Sequence, residues 1–220
     1  MIRGAEEHDG VLVTYERELA GRETDALLTV LRGLAAVPGT EAMRRLTMQG
    51  DDRPLWEGHA RFPDALAALV RRAVRRHGDQ LAAQVPDLAG IVRRTVDSLR
   101  ALPEGGPVSV VHGDLVPPNV HVDDTNTPTA VLDFGFFTTA GDPAFEAAVA
   151  AAVWDMYGPY AEPHTVALTR LFAAEFGYSP DTLVLYQCAY ALATYDLFAS
   201  GSDGGDGHFR WCAGVLTRPG

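Results

Sequence analysis

The sequence contains no lysine, because all 18 of its basic residues are arginine. Any mechanism that needs a lysine must therefore take that group from elsewhere, and the glycine-rich stretch 201–207, with two aspartates and no lysine, is a poor candidate for a phosphate loop. Cysteine is also scarce: Cys188 and Cys212 are too few for a disulfide framework or a zinc site. We expect two buried thiols in a reducing compartment.

Long hydrophobic runs are absent as well. The longest uncharged apolar stretch, 147–154, is far shorter than the roughly 18 residues that a membrane span needs. The first ten residues, MIRGAEEHDG, are polar and do not resemble an export signal. We therefore expect a soluble, cytoplasmic protein that makes no contact with a membrane.

Positive charge is in deficit. The chain has 29 acidic residues and a formal net charge of −11, which disfavours nucleic acid as a partner. Residues 101–220 carry 14 of the acids and only 3 arginines. Such an imbalance is typical of a site for a divalent metal or a cationic substrate, and also of a solvated acidic surface.

In the first half of the chain, apolar residues at three- and four-residue steps predict amphipathic helices. The predicted elements are a strand at 11–15 and helices at 24–37, 62–76 and 88–102, the last with Asp87 as N-cap. The second helix carries arginines in i,i+4 pairs, namely Arg71, Arg72, Arg75 and Arg76. These arginines fit either an anion-binding or partner-binding stripe or, more simply, a solvated face.

In the second half, short strands surround a turn-rich segment, and helices follow. The predicted strands are 108–111, 120–122 and 130–132, and the predicted helices are 143–154, 163–176, 180–198 and one from His208. Asp142 and Ser179 stand at N-cap positions, each followed by proline. The pattern predicts an α+β fold that is mainly α, with a small β hairpin.

The informative motif is His-Gly-Asp-Leu-Val-Pro-Pro-Asn at 112–119, followed by Asp-Phe-Gly at 133–135. An Asp with an Asn five residues later on a loop between strands, and an Asp-Phe-Gly after the next strand, is the arrangement of kinase-type phosphoryl transfer. That chemistry needs one carboxylate near the attacking hydroxyl and hard oxygen ligands for Mg²⁺. Asp114 would face the acceptor, with the metal between Asn119 and Asp133.

With these motifs the sequence resembles the aminoglycoside phosphotransferase and choline kinase-like family, over about residues 11–216. Gly-Asp-Pro-Ala-Phe-Glu at 141–146 resembles a further motif of that family, which opens the helix after the metal loop. The resemblance implies a protein-kinase-like C-terminal lobe at 21–220, with a catalytic loop at 112–119 and a metal loop at 133–135. It also implies ATP and Mg²⁺ as cofactors and transfer of the γ-phosphoryl group to a hydroxyl.

The resemblance assigns roles to individual residues. Asp114 is the expected catalytic base, and Asn119 and Asp133 are the expected metal ligands. The nucleotide is expected to bind at Asn119, Asp133, Tyr15 and Glu16. Structural support of the site is expected from His112, Gly135, Asp142 and Glu146.

The chain departs from the family pattern in three places. The strand 11–15 resembles the hinge strand that ends the N-terminal lobe, so we expect residues 1–20 to be a remnant and most of that lobe, with its lysine, to be absent. Pro118 replaces a frequent glycine before the Asn, and Glu146 replaces an Asp. The lost lobe is the serious departure, because it would cover and neutralise the phosphates.

Three hypotheses about function remain open on the sequence. The first is a small-molecule O-phosphotransferase, such as an antibiotic-modifying or self-resistance enzyme with a cationic acceptor. The second is a kinase subunit completed near 11–15 by a protein partner or a missing segment, acting on Ser or Thr of a biosynthetic peptide. The third is a pseudokinase that only binds.

Acceptor residues can be named by position and charge only. The candidates are Asp155, Tyr157, Glu162, Asp196, Trp211 and the acidic stretch 201–207. A surface or core role is the simpler interpretation of each, and Trp154 and Trp211 are typical of core aromatics.

Overall fold

The computed structural model describes residues 2–8, 11–16, 22–103, 106–197 and 207–218, with side chains from residue 24 onward. The helices are α1 (Arg22–Ala36), α2 (Glu41–Arg44), α3 (Phe62–Ala82), α4 (Leu88–Ala101), α5 (Pro143–Val153), α6 (Ala161–Phe176), α7 (Pro180–Thr194) and α8 (Gly207–Thr217). The strands are β1 (Ile2–His8), β2 (Val11–Glu16), β3 (Ser109–Val111), β4 (Val120–Val122), β5 (Pro128–Val131) and β6 (Thr139–Gly141). The mainly helical fold class is as predicted.

Three two-stranded antiparallel ladders occur in the described part of the chain: β1–β2, β3–β6 and β4–β5. The ladder of β3 and β6 pairs Val110 with Ala140 and lies against the helices, whereas β4 and β5 form a partly exposed hairpin. The segment 112–119 runs between the buried strand β3 and this hairpin. Its first end is thereby fixed to the core and its second end to the hairpin.

Helix α5 is the centre of the core. Each of its residues is buried, and it packs against α6, α7, α1 and β3. Its six alanines leave room for close helix packing, while Phe145 contacts the rings of Phe62 and Tyr186 at centroid distances of 5.2 and 5.5 Å. None of the helices in the described ranges is long and apolar enough to cross a membrane.

Helix caps account for several of the predicted boundaries. Asp142 accepts a hydrogen bond from the N–H of Ala144 at 2.8 Å, and Ser179 caps α7. Asp87 is different, because its backbone is left-handed (φ 54°) and its carboxylate pairs with Arg94 instead of capping the helix. Asp87 therefore occupies the predicted N-cap position of α4 but makes no side-chain capping hydrogen bond.

Other differences have equally local causes. The sequence pattern does not indicate β1, because IRGAEEH lacks a run of apolar or β-branched residues, and the strand is recognised only by its pairing with β2. Helix α7 ends at Thr194, and residues 195–197 form a turn. The interpretation of the arginines of α3 as a solvated face is also wrong for Arg72, whose side chain is only 10% exposed and pairs with Asp51.

Candidate active site

The segment 112–119 places Asp114 directly after a sharp turn. Gly113 has a φ of +78°, and a Cβ atom there would lie 2.5 Å from the Cβ of Phe137. A side chain at this position is therefore excluded both by the backbone conformation and by the neighbouring chain. The turn leaves Asp114 partly buried at the edge of the core.

Glu146 holds this turn in place through hydrogen bonds to its backbone. Its Oε2 atom accepts hydrogen bonds from the backbone N–H groups of His112 at 2.7 Å and Gly113 at 2.9 Å. Its Oε1 atom is buried and has no hydrogen-bond partner among the residues that the structure describes. Burial outweighs the two backbone bonds and, with a smaller contribution from the charge of Asp114, raises the pKa of Glu146 to about 7.

His112 connects the two predicted loops through the two nitrogens of one ring. Nδ1 lies 3.2 Å from the N–H of Asp114 and accepts from it, which leaves Nε2 to donate to the carbonyl oxygen of Leu132 at 2.7 Å. The ring also contacts Phe134 at a centroid distance of 4.5 Å. The imidazole ring therefore joins the backbone of Asp114 to the residues on both sides of Asp133.

Asn119 reinforces the same connection. Its amide nitrogen donates to the carbonyl oxygen of Asp114 at 2.9 Å, and its own carbonyl oxygen accepts from the N–H of Leu132 at 2.9 Å. The side-chain oxygen of Asn119 takes part in no hydrogen bond with the described residues. Asp133 is exposed in a left-handed conformation (φ 59°), and within the described ranges its carboxylate has no hydrogen bond or ion pair.

The carboxylate of Asp114 responds to burial and to two neighbouring groups. Burial raises the pKa of Asp114, the neighbouring His112 lowers it, and the charge of Asp133 raises it further. Two nearby carboxylates and a free amide oxygen form a donor set that suits a hard cation such as Mg²⁺. No group of three or more His, Cys, Asp or Glu side chains in the described ranges could hold a metal by itself.

Asp142 is held by a residue that sequence reasoning missed. The hydroxyl of Tyr186 on α7 donates to Oδ2 of Asp142 at 2.7 Å, while Oδ1 caps α5. Burial raises the pKa of Asp142, and these two hydrogen bonds oppose the rise. No sequence signal identifies Tyr186, because it is 44 residues from Asp142 in a helix rich in apolar residues.

Replacing Tyr186 with phenylalanine should lower the free energy of unfolding by about 1–2 kcal/mol, because a largely buried carboxylate loses one partner. Urea denaturation measures this effect. The matched control is Tyr178→Phe, since the Tyr178 hydroxyl makes no hydrogen bond with the described residues and its loss should cost less than about 0.5 kcal/mol. Equal losses in the two variants would contradict the assignment.

The other predicted residues lie on different elements. Asp155 binds His164 with an Oδ2–Nδ1 distance of 2.6 Å. Tyr157 is 66% exposed and lies beside Gly207. Asp196 lies 3.2 Å from Nε2 of His77. Trp211 is buried between Tyr190 and His208, and Glu162 is exposed in the first turn of α6. Gly135 is exposed next to Phe134.

Two further predictions concern the N-terminal strands and the acidic loop. Tyr15 and Glu16 end β2, where their backbones pair with Gly4 and Ile2, and only their backbone is described. The side chains of residues 11–15, near which a partner is expected to bind, and residues 201–206 of the acidic stretch therefore lie outside the described part of the chain.

Comparison with known proteins identifies a family that matches the chain. The family described as "Phosphotransferase enzyme family" (APH) matches residues 7–180. No curated protein matches the chain.

Solved structures of phosphotransferases share the fold. A thermostable mutant of aminoglycoside phosphotransferase APH(4)-Ia, in a ternary complex with ADP and hygromycin B, superposes with a TM-score of 0.58 at 19% identity, covering 98% of this chain and 75% of the other. Macrolide 2′-phosphotransferase type I gives a TM-score of 0.52 at 19% identity, covering 99% of this chain and 73% of the other. The chain belongs to the APH phosphotransferase enzyme family and has its kinase-like fold.

Proposed function

We propose that the chain transfers the γ-phosphoryl group of ATP to a hydroxyl group of a small molecule. The observation that carries the proposal is the pair of hydrogen bonds made by His112, which hold Asp114 and the segment of Asp133 in one unit. Membership of a phosphotransferase family and the shared fold of aminoglycoside and macrolide phosphotransferases support small-molecule phosphotransfer. The acidic C-terminal half favours a cationic acceptor similar to hygromycin B, as in antibiotic modification or self-resistance.

The donor set fits a magnesium ion. Asn119 and Asp133 would hold it through an amide oxygen and a carboxylate, and the remaining ligands would be phosphate oxygens and water. The metal would neutralise the charge on the phosphates during transfer. The amide nitrogen of Asn119 is already bonded to Asp114, so its oxygen is the atom left for the metal.

Asp114 is the proposed base. The proton of the acceptor hydroxyl passes to its carboxylate, the acceptor oxygen bonds to the γ-phosphorus, and the bond from that phosphorus to the bridging oxygen of ADP breaks. Partial burial raises the pKa of Asp114, which makes the carboxylate a stronger base than an exposed aspartate. Glu146 and His112 bear on this step through the backbone of the loop, which they hold in place.

The absence of lysine favours a second form of this function. A kinase of this fold uses a lysine of the N-terminal lobe to bind phosphates, and this sequence has none. A partner protein or a further segment next to β2 would then supply the cation. In that case the chain is a kinase subunit, for which Ser or Thr of a peptide is an alternative acceptor.

The test is transfer of radioactive phosphate from γ-labelled ATP to hygromycin B, a macrolide or a Ser/Thr peptide, in the presence of Mg²⁺. We expect a labelled product with one of these acceptors. The chain must lose this activity with Asp114→Asn and keep it with Asp124→Asn, a change of an exposed aspartate in the turn between β4 and β5. Nucleotide binding without transfer to any acceptor would favour the pseudokinase.

Asp133→Asn should weaken the binding of Mg·ATP at least tenfold, because the change removes the only charged metal ligand that we propose. Titration calorimetry with and without Mg²⁺ measures this loss. Asp124→Asn is again the control and should bind as the wild type does. Equal affinities for the wild type and Asp133→Asn would remove Asp133 from the metal site.

A further inference from the structure

The segment 47–56, here called the brace, lies against the chain that follows the metal loop. The backbone N–H of Gln49 donates to the carbonyl oxygen of Phe136 at 3.2 Å, and Nε1 of Trp56 donates to that of Ala140 at 2.7 Å. The brace thus binds both ends of the segment 136–140, which joins Asp133 to β6 and α5. An antiparallel bridge between Thr47 and Pro54 closes the brace into a loop.

A buried ion pair connects the brace to α3. The side chain of Asp51 is only 2% exposed, and its Oδ2 atom lies 2.9 Å from both Nε and Nη2 of Arg72. Nη1 of Arg76 lies 3.6 Å from Oδ1. Burial alone would raise the pKa of Asp51, but the hydrogen bond and charge of Arg72, together with Arg76, hold it below its usual value.

Forming this ion pair removes two charged groups from water, which costs free energy. A buried ion pair is often no more stabilising than apolar side chains of the same size, whereas breaking one leaves an uncompensated charge. Asp51 joins the brace to Arg72 within α3, so the pair helps to fix where the brace lies. Because Gln49 and Trp56 bind the segment 136–140, the position of the brace also determines where that segment lies.

We infer that Asp51 and Arg72 are positioning residues that hold the segment 136–140, and through it the metal loop, in place. The effect on the segment follows from the contacts above. The effect on Asp133 and on nucleotide binding rests on the proposed function. The two parts can therefore be tested separately.

The experiment is amide hydrogen exchange on the full chain, with Asp51→Asn as the variant and Asp52→Asn as the matched control. Asp52 is the exposed neighbour on the same loop and has no ion pair among the described residues. We expect exchange in peptides covering 133–141 to rise at least tenfold in Asp51→Asn, with no change in α5 or in Asp52→Asn. Unchanged exchange in 133–141, or an equal rise throughout the chain, would overturn the inference.

The double variant Asp51→Asn/Arg72→Met separates position from stability. Removing the orphaned guanidinium should restore the melting temperature, while exchange in 133–141 stays fast because the tether is still absent. Recovery of both the wild-type melting temperature and the slow exchange in 133–141 would overturn the inference. If Asp51→Asn does not fold, Arg72→Lys is measured in its place, because lysine keeps the charge but loses the second nitrogen contact. Faster exchange in 133–141 would again support the inference, and unchanged exchange there would overturn it.

Calorimetry with Mg·ATP then tests the link to the site. Asp51→Asn should weaken binding about fivefold or more, and Asp52→Asn should not. If the wild type does not bind Mg·ATP, the proposed function fails while the exchange result decides the positioning role by itself. If the wild type and Asp51→Asn bind equally well, the effect of the ion pair on Asp133 is overturned.

Discussion

Replacing Asp114 with asparagine is expected to lower the rate of phosphoryl transfer about 10²–10⁴-fold, the usual contribution of a general base. Asparagine keeps the size of the side chain and leaves the three backbone hydrogen bonds of residue 114 intact, since those bonds use its N–H and C=O groups. It cannot accept the proton of the acceptor hydroxyl. Single-turnover transfer measurements at saturating nucleotide isolate this step from binding.

The same change should leave the protein as stable as the wild type or slightly more stable. Burial, with the nearby charge of Asp133, raises the pKa of Asp114 and so disfavours its ionised form in the folded state. Asparagine removes that unfavourable charge. A large loss of stability together with the loss of activity would mean that Asp114 is structural, and the assignment as a base would fail.

The pH profile offers an independent check on this role. A base must be ionised to work, so the rate should fall as the pH drops through the pKa of Asp114, which lies above that of an ordinary aspartate. The residual rate of Asp114→Asn should lack this acidic limb. A limb retained in the variant would belong to another group.

The sequence predicts the fold well where local signals agree. Proline and Asp142 mark the start of α5, and Ser179 with Pro180 marks the start of α7, because caps and proline act within one turn of chain. The strand β1 carries no such signal. It depends on pairing with β2, which a local pattern does not contain.

For the site, the sequence identifies the residues but not the contacts that hold them. The spacing of His112, Asp114, Asn119 and Asp133 singles out one region, and the structure adds that one imidazole ring links its two loops. The catalytic and metal roles remain proposals.

Long-range partners were beyond the reach of sequence reasoning. Asp51 lies 21 residues before Arg72 and Tyr186 lies 44 after Asp142, so no periodicity relates the members of either pair. The arginines of α3 have the spacing of a solvated face. Only the fold shows that Arg72 turns toward a buried acid.

Glu146→Gln should change how stability depends on pH, and this is the second large effect that we expect. Glu146 has an ordinary pKa of 4.5 and a pKa of about 7 in the folded protein, so the folded state binds more protons than the unfolded state between these values. The free energy of unfolding of the wild type therefore falls as the pH rises from about 4.5 to 7. The difference of the two pKa values corresponds to a loss of about 3 kcal/mol at most.

Glutamine removes this loss and keeps the hydrogen bonds. Its amide oxygen can accept from the N–H groups of His112 and Gly113 as Oε2 does, and its NH₂ group would occupy the place of the unpartnered Oε1. Relative to the wild type, Glu146→Gln should gain about 2.5 kcal/mol between pH 5 and pH 8. Urea denaturation at the two pH values measures the gain, and Glu162→Gln, on the exposed face of α6, should show none.

Glu146→Ala distinguishes the charge from the hydrogen bonds. Alanine removes the acceptor of two buried N–H groups and leaves a cavity under the turn, which should cost about 3 kcal/mol or more at pH 5. Because the turn also presents Asp114, phosphoryl transfer should fall in Glu146→Ala even in the molecules that stay folded, whereas Glu146→Gln should retain it. If alanine and glutamine had equal effects on stability at pH 5, the two hydrogen bonds to the turn would contribute nothing, and Glu146 would act only as a buried acid.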